Sequence, residues 1–336
     1  MREELEQVAS GRPFSREEAR RVMGRIMDGE AAASQLGALL MGLRLRGETV
    51  DEIAGFAEAM RERMTRVPVT VRPLLDTCGT GGDGSHSLNI STLAGLVCAA
   101  AGARVAKHGN RSISSKSGSA DLLQALGVGV PETAEEAGRL LDRWGFAFLF
   151  APALHASMRH AGPVRGELGV RTVFNILGPL TNPAGAEHQL LGVYDPARVE
   201  TLAEVLAELG AHHALVVHGG GLDEIALHAP TVVAEVRDGR VSRYVIDPAE
   251  RGFPQVDLDA VRGGDPAYNA ERAREILRGE PGPAAEMVAV NAGYALYAAD
   301  RVTTAEDGIV LARETLAAGR AWQLVETLQA ESGGAA

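Results

Sequence analysis

The sequence predicts an α/β protein in which a small all-helical amino-terminal domain precedes a larger domain with a largely parallel central sheet. Three observations carry this prediction. Residues 1–67 show only helical patterns, residues from about 69 alternate strand and helix signals, and the chain of 336 residues is long enough for about two domains. We therefore expect a helical domain over 1–67, joined by part of 163–183, and an α/β domain over 68–336.

In the amino-terminal segment, apolar residues recur at helical spacing, and the pairs Ser15/Glu18 and Thr49/Glu52 are typical of capping boxes. The predicted helices cover 15–27, 31–46 and 49–66. Such short helices cannot bury this much apolar surface alone. We expect them to pack on the rest of the chain and partly on another subunit.

The larger domain alternates the two kinds of signal. Strand candidates are residues 74–75, 104–106, 146–150, 189–193 and 214–217, followed by 231–236 and 241–246, which flank the hairpin signal Asp238-Gly239. Helix candidates are 91–101, 119–126, 133–144, 196–209, 268–277, 284–298, 304–316 and 322–328. This order indicates a parallel sheet covered by helices.

Composition and charge exclude several classes of protein. A net charge of −11 argues against a sequence-independent nucleic-acid surface, which needs a dense basic field. No apolar run approaches the roughly 18 residues of a membrane span, and residues 1–21 are too charged for a secretory signal. Cys78 and Cys98 show no metal-ligand spacing and do not suggest a disulfide framework. We expect a cytoplasmic protein.

A glycine-rich stretch follows the first strand candidate. Gly79, Gly81, Gly82 and Gly84 lie within six positions, just before a predicted helix. Glycine lets backbone N–H groups turn toward a ligand, and a helix start favours anions, so this stretch predicts a phosphate site. Its spacing is neither the Walker pattern nor the dinucleotide fingerprint. Asp83 would repel a phosphate unless it meets a cation or ribose hydroxyls, and the alternative is a flexible surface loop before a capped helix.

A second polar stretch, residues 107–121, follows the next strand candidate. It contains the only two lysines among the 33 basic residues, Lys107 and Lys116. In an open α/β sheet this position lies at the carboxyl edge, where ligands bind. The stretch is either solvated or lines an anion site, and we favour the anion site.

Two further features suggest ligands. Asp223 and Glu224 follow a strand candidate and three glycines, and adjacent carboxylates repel each other unless a cation joins them, which magnesium would do. The alternative is a solvated acidic turn. Arg165 offers the planar, bidentate partner that a carboxylate substrate needs, although a lone arginine is more often in a surface ion pair. His108 and His155 could be polar packing, and their spacing suggests no metal.

In this order, the segments 76–92, 107–121, 155–183 and 218–224 resemble the signature segments of the anthranilate phosphoribosyltransferases, and the likeness covers nearly the entire chain. The resemblance implies a fold of the nucleoside phosphorylase/phosphoribosyltransferase type. It also implies transfer of the phosphoribosyl group of phosphoribosyl pyrophosphate (PRPP) to anthranilate in tryptophan biosynthesis, with Mg²⁺ as cofactor and a homodimer formed through the helical domain.

Carried over position by position, the resemblance implies three sets of ligand-binding residues. For PRPP they are Gly79, Gly82, Asp83, Ser87, Asn89, Ile90, Ser91, Thr92, Lys107, His108, Gly109, Asn110, Arg111, Ser112, Ile113, Ser114, Ser115 and Ser119. For anthranilate they are Gly79, Asn110 and Arg165, with His108 and His155 lining the approach, and for magnesium Ser91, Asp223 and Glu224. Lys107 is expected to act electrostatically, and no acid or base catalyst is assigned. Ser87-Leu88 departs from the Thr-Phe that is usual in the family.

Two other functions fit the same architecture. A pyrimidine nucleoside phosphorylase has a similar lysine-serine loop, but it has no reason to carry the pair Asp223-Glu224. A noncatalytic nucleic-acid-binding relative would need a basic stripe, against which the net charge of −11 argues. We therefore expect the small-molecule substrates anthranilate and PRPP as partners, with no nucleic acid and no membrane.

Overall fold

A computed structural model of the chain describes residues 1–111 and 116–333. The amino-terminal segment folds into four helices: α1 (Arg2–Ala9), α2 (Arg16–Met27), α3 (Ala33–Arg46) and α4 (Val50–Arg63). Both expected capping boxes form, because Glu18 and Glu52 each accept from the backbone N–H of the capping residue three positions earlier, at 2.8 and 2.9 Å. The first helix was not among the predicted ones.

A seven-stranded sheet forms the centre of the larger part. Its strands are β1 (Leu75–Gly79), β2 (Val105–Gly109), β3 (Phe146–Phe150), β4 (His188–Gly192), β5 (His213–Gly219), β6 (Thr231–Arg237) and β7 (Arg240–Ile246). In space they run in the order β3-β2-β1-β4-β5-β6-β7. The first five strands are mutually parallel, and β6 and β7 add an antiparallel hairpin whose turn has positive φ at Asp238 and Gly239, 50° and 75°.

Eleven further α-helices are found among the described residues. They are α5 (Ile90–Ala100), α6 (Ser119–Ala125), α7 (Ala134–Trp144), α8 (Ala151–Leu154), α9 (Gly162–Leu168), α10 (Phe174–Leu177), α11 (Val199–Glu208), α12 (Pro266–Leu277), α13 (Pro283–Ala298), α14 (Ala305–Ala317) and α15 (Arg320–Glu331). No helix in this part of the chain is both long and apolar enough to cross a lipid bilayer.

The apolar cores lie on the two faces of the sheet. On one face Leu93 of α5 and Val290 of α13 pack with Leu215 of β5. On the other face Phe56 of the amino-terminal helices packs in the same cluster as Leu191 of β4. The amino-terminal helices therefore bury much of their apolar surface within the chain. The short helices α9 and α10 contact α3 and α4.

The predicted strands 74–75 and 104–106 were too short. The observed strands continue to Gly79 and Gly109 and include the polar residues Asp76, Thr77 and Lys107, which are buried. An apolar pattern could not assign these polar positions to a buried strand. Polar side chains in a buried strand need partners. These strand extensions carry the backbone directly to the two loops that the sequence singled out.

Candidate active site

The candidate site lies where four parallel strands end. After β1 the chain builds β2 and β3 on one side and returns to add β4 and β5 on the other, so the strand order reverses between β1 and β4. In open α/β sheets, the carboxyl ends at such a switch point form the crevice where ligands bind. The segments that follow β1, β2 and β5 begin at residues 80, 110 and 220, and all leave the sheet at this edge.

The glycine loop adopts the conformation that its sequence predicts. Gly81, Gly82 and Gly84 have φ of 63°, 78° and 75°, which side chains other than glycine rarely adopt. The Gly81 N–H donates to Oδ2 of Asp223 at 2.8 Å, so the loop is tied to the carboxylates beyond β5. The Gly82 carbonyl accepts from the Arg171 guanidinium. The sequence interpretation had given Arg171 no role.

Close packing explains two other glycines. A side chain at Gly79 would collide with the Asp223 carboxylate, and one at Gly192 would collide with the Asp223 backbone carbonyl. Both glycines end neighbouring strands, β1 and β4. Asp223 can lie over the end of the sheet only because neither strand carries a Cβ there.

Three carboxylates gather at this point. Glu224 is 8 % exposed and its Oε1 accepts from the Ser91 N–H at 3.1 Å. Burial, and then the neighbouring Asp223, raises the pKa of Glu224 well above its usual range. Burial, and then the charge of Asp83, raises the pKa of Asp223 to about 7. Negative charge here is incompletely balanced by the protein, which suits a divalent cation held by oxygen ligands.

Asn291 of α13 holds the acidic turn in place. Its side chain accepts from the Ile225 N–H and donates to the Ile225 carbonyl, both at 2.9 Å. Asn291 is fully buried. The backbone next to Glu224 is thus fixed to a core helix, so the two carboxylates are preorganised.

Lys107 brings positive charge beneath the loop. Its side chain is 1 % exposed, and its ammonium donates to the Thr77 carbonyl and lies 3.4 Å from the Ser91 Oγ. Burial lowers the pKa of Lys107, while the negative charge of Asp76 is the strongest opposing influence. An ammonium between strand and helix start is a fixed point charge for an anionic ligand.

Asp76 is a site residue that the sequence interpretation missed. Its Oδ1 accepts from the His108 N–H at 3.1 Å and its Oδ2 from Asn182 Nδ2 at 2.8 Å. Burial raises the pKa of Asp76 to about 6, and the Lys107 charge is the strongest influence in the opposite direction. The available signal was a carboxylate inside an otherwise apolar strand, which requires a charged or donating partner.

The start of α5 contributes hydroxyls and amides. Thr92 Oγ1 donates to Ser119 Oγ at 3.0 Å, which joins the first turns of α5 and α6. Asn89 donates to the Ser117 carbonyl at 3.1 Å and accepts from Asn269 at 3.0 Å. The side chain of Ile90 is fully buried, so only its backbone can face a ligand.

Other expected PRPP residues are engaged within the protein. Arg111 pairs with Asp121 at 3.1 Å and donates to Gln124 at 2.8 Å. Asn110 Oδ1 accepts from the Arg111 N–H at 2.7 Å, and Ser87 Oγ lies 3.2 Å from Ser85 Oγ. Gly109 ends β2 against the Phe148 ring. The expected ligands Ser112, Ile113, Ser114 and Ser115 lie outside the described residues.

A pair of histidines lies beside the second loop. The His108 and His155 rings are 5.0 Å apart, centroid to centroid. His108 Nδ1 is 3.1 Å from the Gly178 carbonyl, and His155 bonds to the backbone of Thr181. Burial lowers their pKa values to about 3 and about 4, so both are neutral at pH 7. Their buried Nε2 atoms find no hydrogen-bond partner among the described residues, which marks a place for a polar ligand.

Arg165 on α9 faces the same segment. Its guanidinium lies 5.1 Å from the centre of the Phe174 ring, and burial lowers its pKa. Its guanidinium forms no hydrogen bond or ion pair within residues 1–111 and 116–333, whereas its backbone N–H donates to the Ala161 carbonyl. Residues 174–181 therefore touch Arg165, His108 and His155. A half-buried guanidinium without a counterion is suited to a carboxylate ligand.

Comparison with known proteins agrees with this arrangement. The family model described as "Glycosyl transferase family, helical bundle domain" matches residues 2–64, and "Glycosyl transferase family, a/b domain" matches residues 71–322. The anthranilate phosphoribosyltransferase of Symbiobacterium thermophilum is 51% identical, over 97% of this chain and 96% of that protein. The enzyme of the same name from Brevibacillus brevis is 49% identical, over 98% and 97%.

Solved structures show the same likeness. The crystal structure of anthranilate phosphoribosyltransferase from Thermus thermophilus superposes with a TM-score of 0.93 at 48% identity, covering 97% of this chain and 98% of the other. The Saccharomyces cerevisiae enzyme in complex with PRPP and Mg superposes with a TM-score of 0.88 at 25% identity, covering 98% and 96%. By sequence and by fold, this chain belongs to the anthranilate phosphoribosyltransferase family of glycosyltransferases.

Proposed function

We propose that this chain transfers the phosphoribosyl group of PRPP to the amine of anthranilate, giving N-(5-phosphoribosyl)anthranilate and pyrophosphate in tryptophan biosynthesis. The observation that carries the proposal is the meeting of the glycine loop, the buried Lys107 and the acidic pair Asp223-Glu224 at the switch point of the sheet. Such a site suits an anionic ligand that brings a divalent cation with it.

We infer that Mg²⁺ would be held by Asp223 and Glu224, with the Ser91 hydroxyl nearby. The support is that burial, and then the neighbouring acids, raise the pKa of both carboxylates, so a cation would favour their ionised forms. The two carboxylates and the Ser91 hydroxyl are oxygen ligands, which magnesium prefers. When bound, the ion would supply positive charge to the diphosphate oxygens.

The chain's own groups would bind the rest of PRPP. We assign the diphosphate to the Lys107 ammonium and to the N–H groups of the glycine loop, and the 5-phosphate to the start of α5, where Asn89, Thr92 and Ser119 provide side-chain donors. The positive φ values at Gly81 and Gly82 leave the backbone accessible to a ligand. Asp83, which accepts from the Ser85 N–H at 3.0 Å, is placed for ribose hydroxyls or the cation.

Anthranilate would lie between α9 and the two histidines. Arg165 provides the guanidinium for its carboxylate, and the Phe174 ring beneath holds that guanidinium in place. His108 Nδ1 faces a carbonyl oxygen and so carries the proton, which leaves its buried Nε2 as an acceptor for the anthranilate amine. Asn110 and the backbone at Gly79 are the other groups that we expect to bind anthranilate.

The reaction is a displacement at C1 of the ribose. The lone pair of the amine forms the new C–N bond, the C1–O bond to pyrophosphate breaks, and that oxygen leaves with its electron pair. Positive charge develops on the ribose ring and negative charge on the leaving group, so Lys107 and the loop amides stabilise the transition state electrostatically. The aromatic ammonium that forms is strongly acidic and loses its proton readily, so the chain needs no strong base.

The comparisons favour this function over the two rivals. Relatives that are about 50% identical in sequence over nearly the full chain are named anthranilate phosphoribosyltransferase. Of Asp223 and Glu224, which a phosphorylase does not require, Glu224 is buried and Asp223 is half-buried, and both are preorganised. The net charge of −11 continues to argue against a nucleic-acid surface.

We also propose a cytoplasmic homodimer that contacts its partner through the helical domain. The support is Leu45 near the end of α3, which is 81 % exposed, together with Val170, which is 43 % exposed. The two side chains lie on contacting segments, since Arg44 donates to the Arg171 carbonyl, and neighbouring exposed apolar side chains favour contact with another subunit. Leu45→Glu should convert the dimer to a monomer in light scattering, whereas a wild-type monomer would refute the proposal.

Anthranilate fluorescence tests the proposed function. Loss of the signal should require protein, PRPP and Mg²⁺ together. The double variant Asp223→Asn/Glu224→Gln should abolish this loss, and the exposed-residue variant Glu271→Gln serves as a matched control that keeps it. Phosphorolysis of uridine or thymidine, without anthranilate consumption, would instead support the phosphorylase.

A further inference from the structure

A cluster of histidines and carboxylates lies at the opposite edge of the sheet from the candidate active site. His188 begins β4, His212 immediately precedes β5, and Asp300 follows α13. His188 and His213 are direct neighbours across the β4-β5 pair. The strand β4 has five residues, so about 16 Å of sheet separates this cluster from the acidic pair.

The geometry of the cluster is that of converging metal ligands. One ligand atom from each of His188, His212 and Asp300 lies within 4.8 Å of the other two. Oδ2 of Asp300 is 3.7 Å from His212 Nδ1, and the His188 ring lies beside it with Nδ1 at 3.9 Å and Nε2 as the nitrogen left to bind a metal. Ligand atoms of a tetrahedral zinc ion lie slightly closer than this, since each is about 2.0–2.2 Å from the metal. Small side-chain rotations would close the difference.

Each of the three side chains is oriented by a second partner. The other oxygen of Asp300, Oδ1, accepts from His213 Nδ1 at 2.9 Å and from the Arg237 guanidinium at 3.3 Å. His212 Nε2 lies 3.3 Å from Asp238 Oδ1, which leaves Nδ1 turned toward Asp300. Metal ligands are typically held by such outer hydrogen bonds to carboxylates and carbonyls.

The environment of His188 also favours a cation. Its Nδ1 is 2.6 Å from the carbonyl of Ala298, the last residue of the 16-residue helix α13. In the neutral ring this contact places the proton on Nδ1 and leaves the lone pair of the other nitrogen for a metal. The carboxyl end of a helix carries partial negative charge, which attracts cations.

We propose that His188, His212 and Asp300 bind one divalent transition-metal ion of the zinc class, separate from the magnesium of the active site. Two imidazoles and a carboxylate are a ligand set typical of zinc and of cobalt as its substitute, whereas magnesium prefers oxygen ligands. The ion links the turn after α13 to the amino ends of β4 and β5, so its role is structural. The positive charge of Arg237 repels the metal ion, and the carboxylates of Asp238 and Glu235 offset that positive charge.

Cobalt absorption tests this proposal. Untagged, metal-free protein is titrated with Co²⁺ in excess Mg²⁺, which keeps the oxygen site occupied, and the visible bands of tetrahedral Co²⁺ are recorded. We expect one equivalent to produce the bands, added Zn²⁺ to remove them, and the melting temperature to rise. His212→Ala should weaken binding by more than about 100-fold, since even outer-shell changes cost about 10–100-fold.

The exposed position of His212 makes this variant safe for folding, because its side chain is 59% exposed. His160→Ala removes an exposed histidine that is not part of the cluster, so it should leave the bands unchanged. Absence of the bands in the wild-type protein would overturn the proposal, and so would equal binding by His212→Ala. The readout does not depend on catalysis, so its failure would leave the proposed function untouched.

Discussion

Replacing Asp223 with asparagine should stabilise the metal-free protein while it removes a magnesium ligand. The Asp223 carboxylate is placed next to two other acids, and its pKa rises from 3.8 to about 7. In the wild type the Gly81 N–H donates to Asp223 Oδ2 at 2.8 Å. An asparagine side chain has the same shape, and its carbonyl oxygen can still accept this hydrogen bond. The substitution therefore removes a charge and keeps the packing.

The magnitude follows from the pKa. Because the folded-state pKa lies above the unfolded one, stability is greatest below about pH 4 and is lost as the pH rises through about 7. Each pKa unit corresponds to about 1.36 kcal/mol, so the ionised carboxylate costs up to about 4 kcal/mol at pH 8. At about pH 5 less than half of this cost is present. An asparagine side chain does not ionise, so the variant has none of this free-energy cost.

Urea unfolding in the presence of a chelator measures the difference, with tryptophan fluorescence as the signal. Asp223→Asn should exceed the wild type in unfolding free energy by about 2–4 kcal/mol at about pH 8, and the gap should shrink at about pH 5. Glu271→Gln, which neutralises an exposed carboxylate on α12, should show no such gap. An asparagine variant no more stable than the wild type at about pH 8, or a gap independent of pH, would refute the reasoning.

Three further predictions concern activity. Arg165→Ala should raise KM for anthranilate more than about tenfold in steady-state kinetics, because a charged bidentate contact is lost, and an equal rise in KM for PRPP would contradict its carboxylate role. Asp76→Asn removes the main counter-charge of Lys107, so the alkaline limb of the kcat profile should move to lower pH; an unshifted limb would argue against this pairing. The apparent Mg²⁺ affinity should tighten from about pH 6 to about pH 8, because Asp223, with a pKa of about 7, must ionise to bind the cation; titrations of activity with Mg²⁺ showing no change would count against that ligand.

Much of the site could be predicted because its signals are local. Glycines at 79, 81, 82 and 84 indicate an unusual backbone, and the alternation of strands and helices places the loops at one edge of the sheet. The structure agrees, since the loops after β1, β2 and β5 meet at the switch point. The pair Asp223-Glu224 was likewise visible as adjacent carboxylates after a glycine run.

The features of the site that the sequence did not predict depend on which strands pair in the folded sheet. Asp76 and Lys107 lie on adjacent strands because β1 pairs with β2 in the register Leu75 to Val105, and no local pattern specifies that register. The short strand predictions have the same origin, since Asp76 and Lys107 interrupt the apolar runs. The Arg171 contact with Gly82 joins residues 89 positions apart, and a lone arginine carries no signal for it.

The central claim is a displacement in which anthranilate consumes PRPP and releases pyrophosphate at the carboxyl edge of the sheet. Measuring pyrophosphate release and anthranilate loss in the same reaction tests it most directly. We predict one pyrophosphate for each anthranilate consumed, with a product whose mass equals that of N-(5-phosphoribosyl)anthranilate, and neither signal without Mg²⁺. Pyrophosphate released without anthranilate loss, or anthranilate left intact while a nucleoside is split by phosphate, would contradict the account.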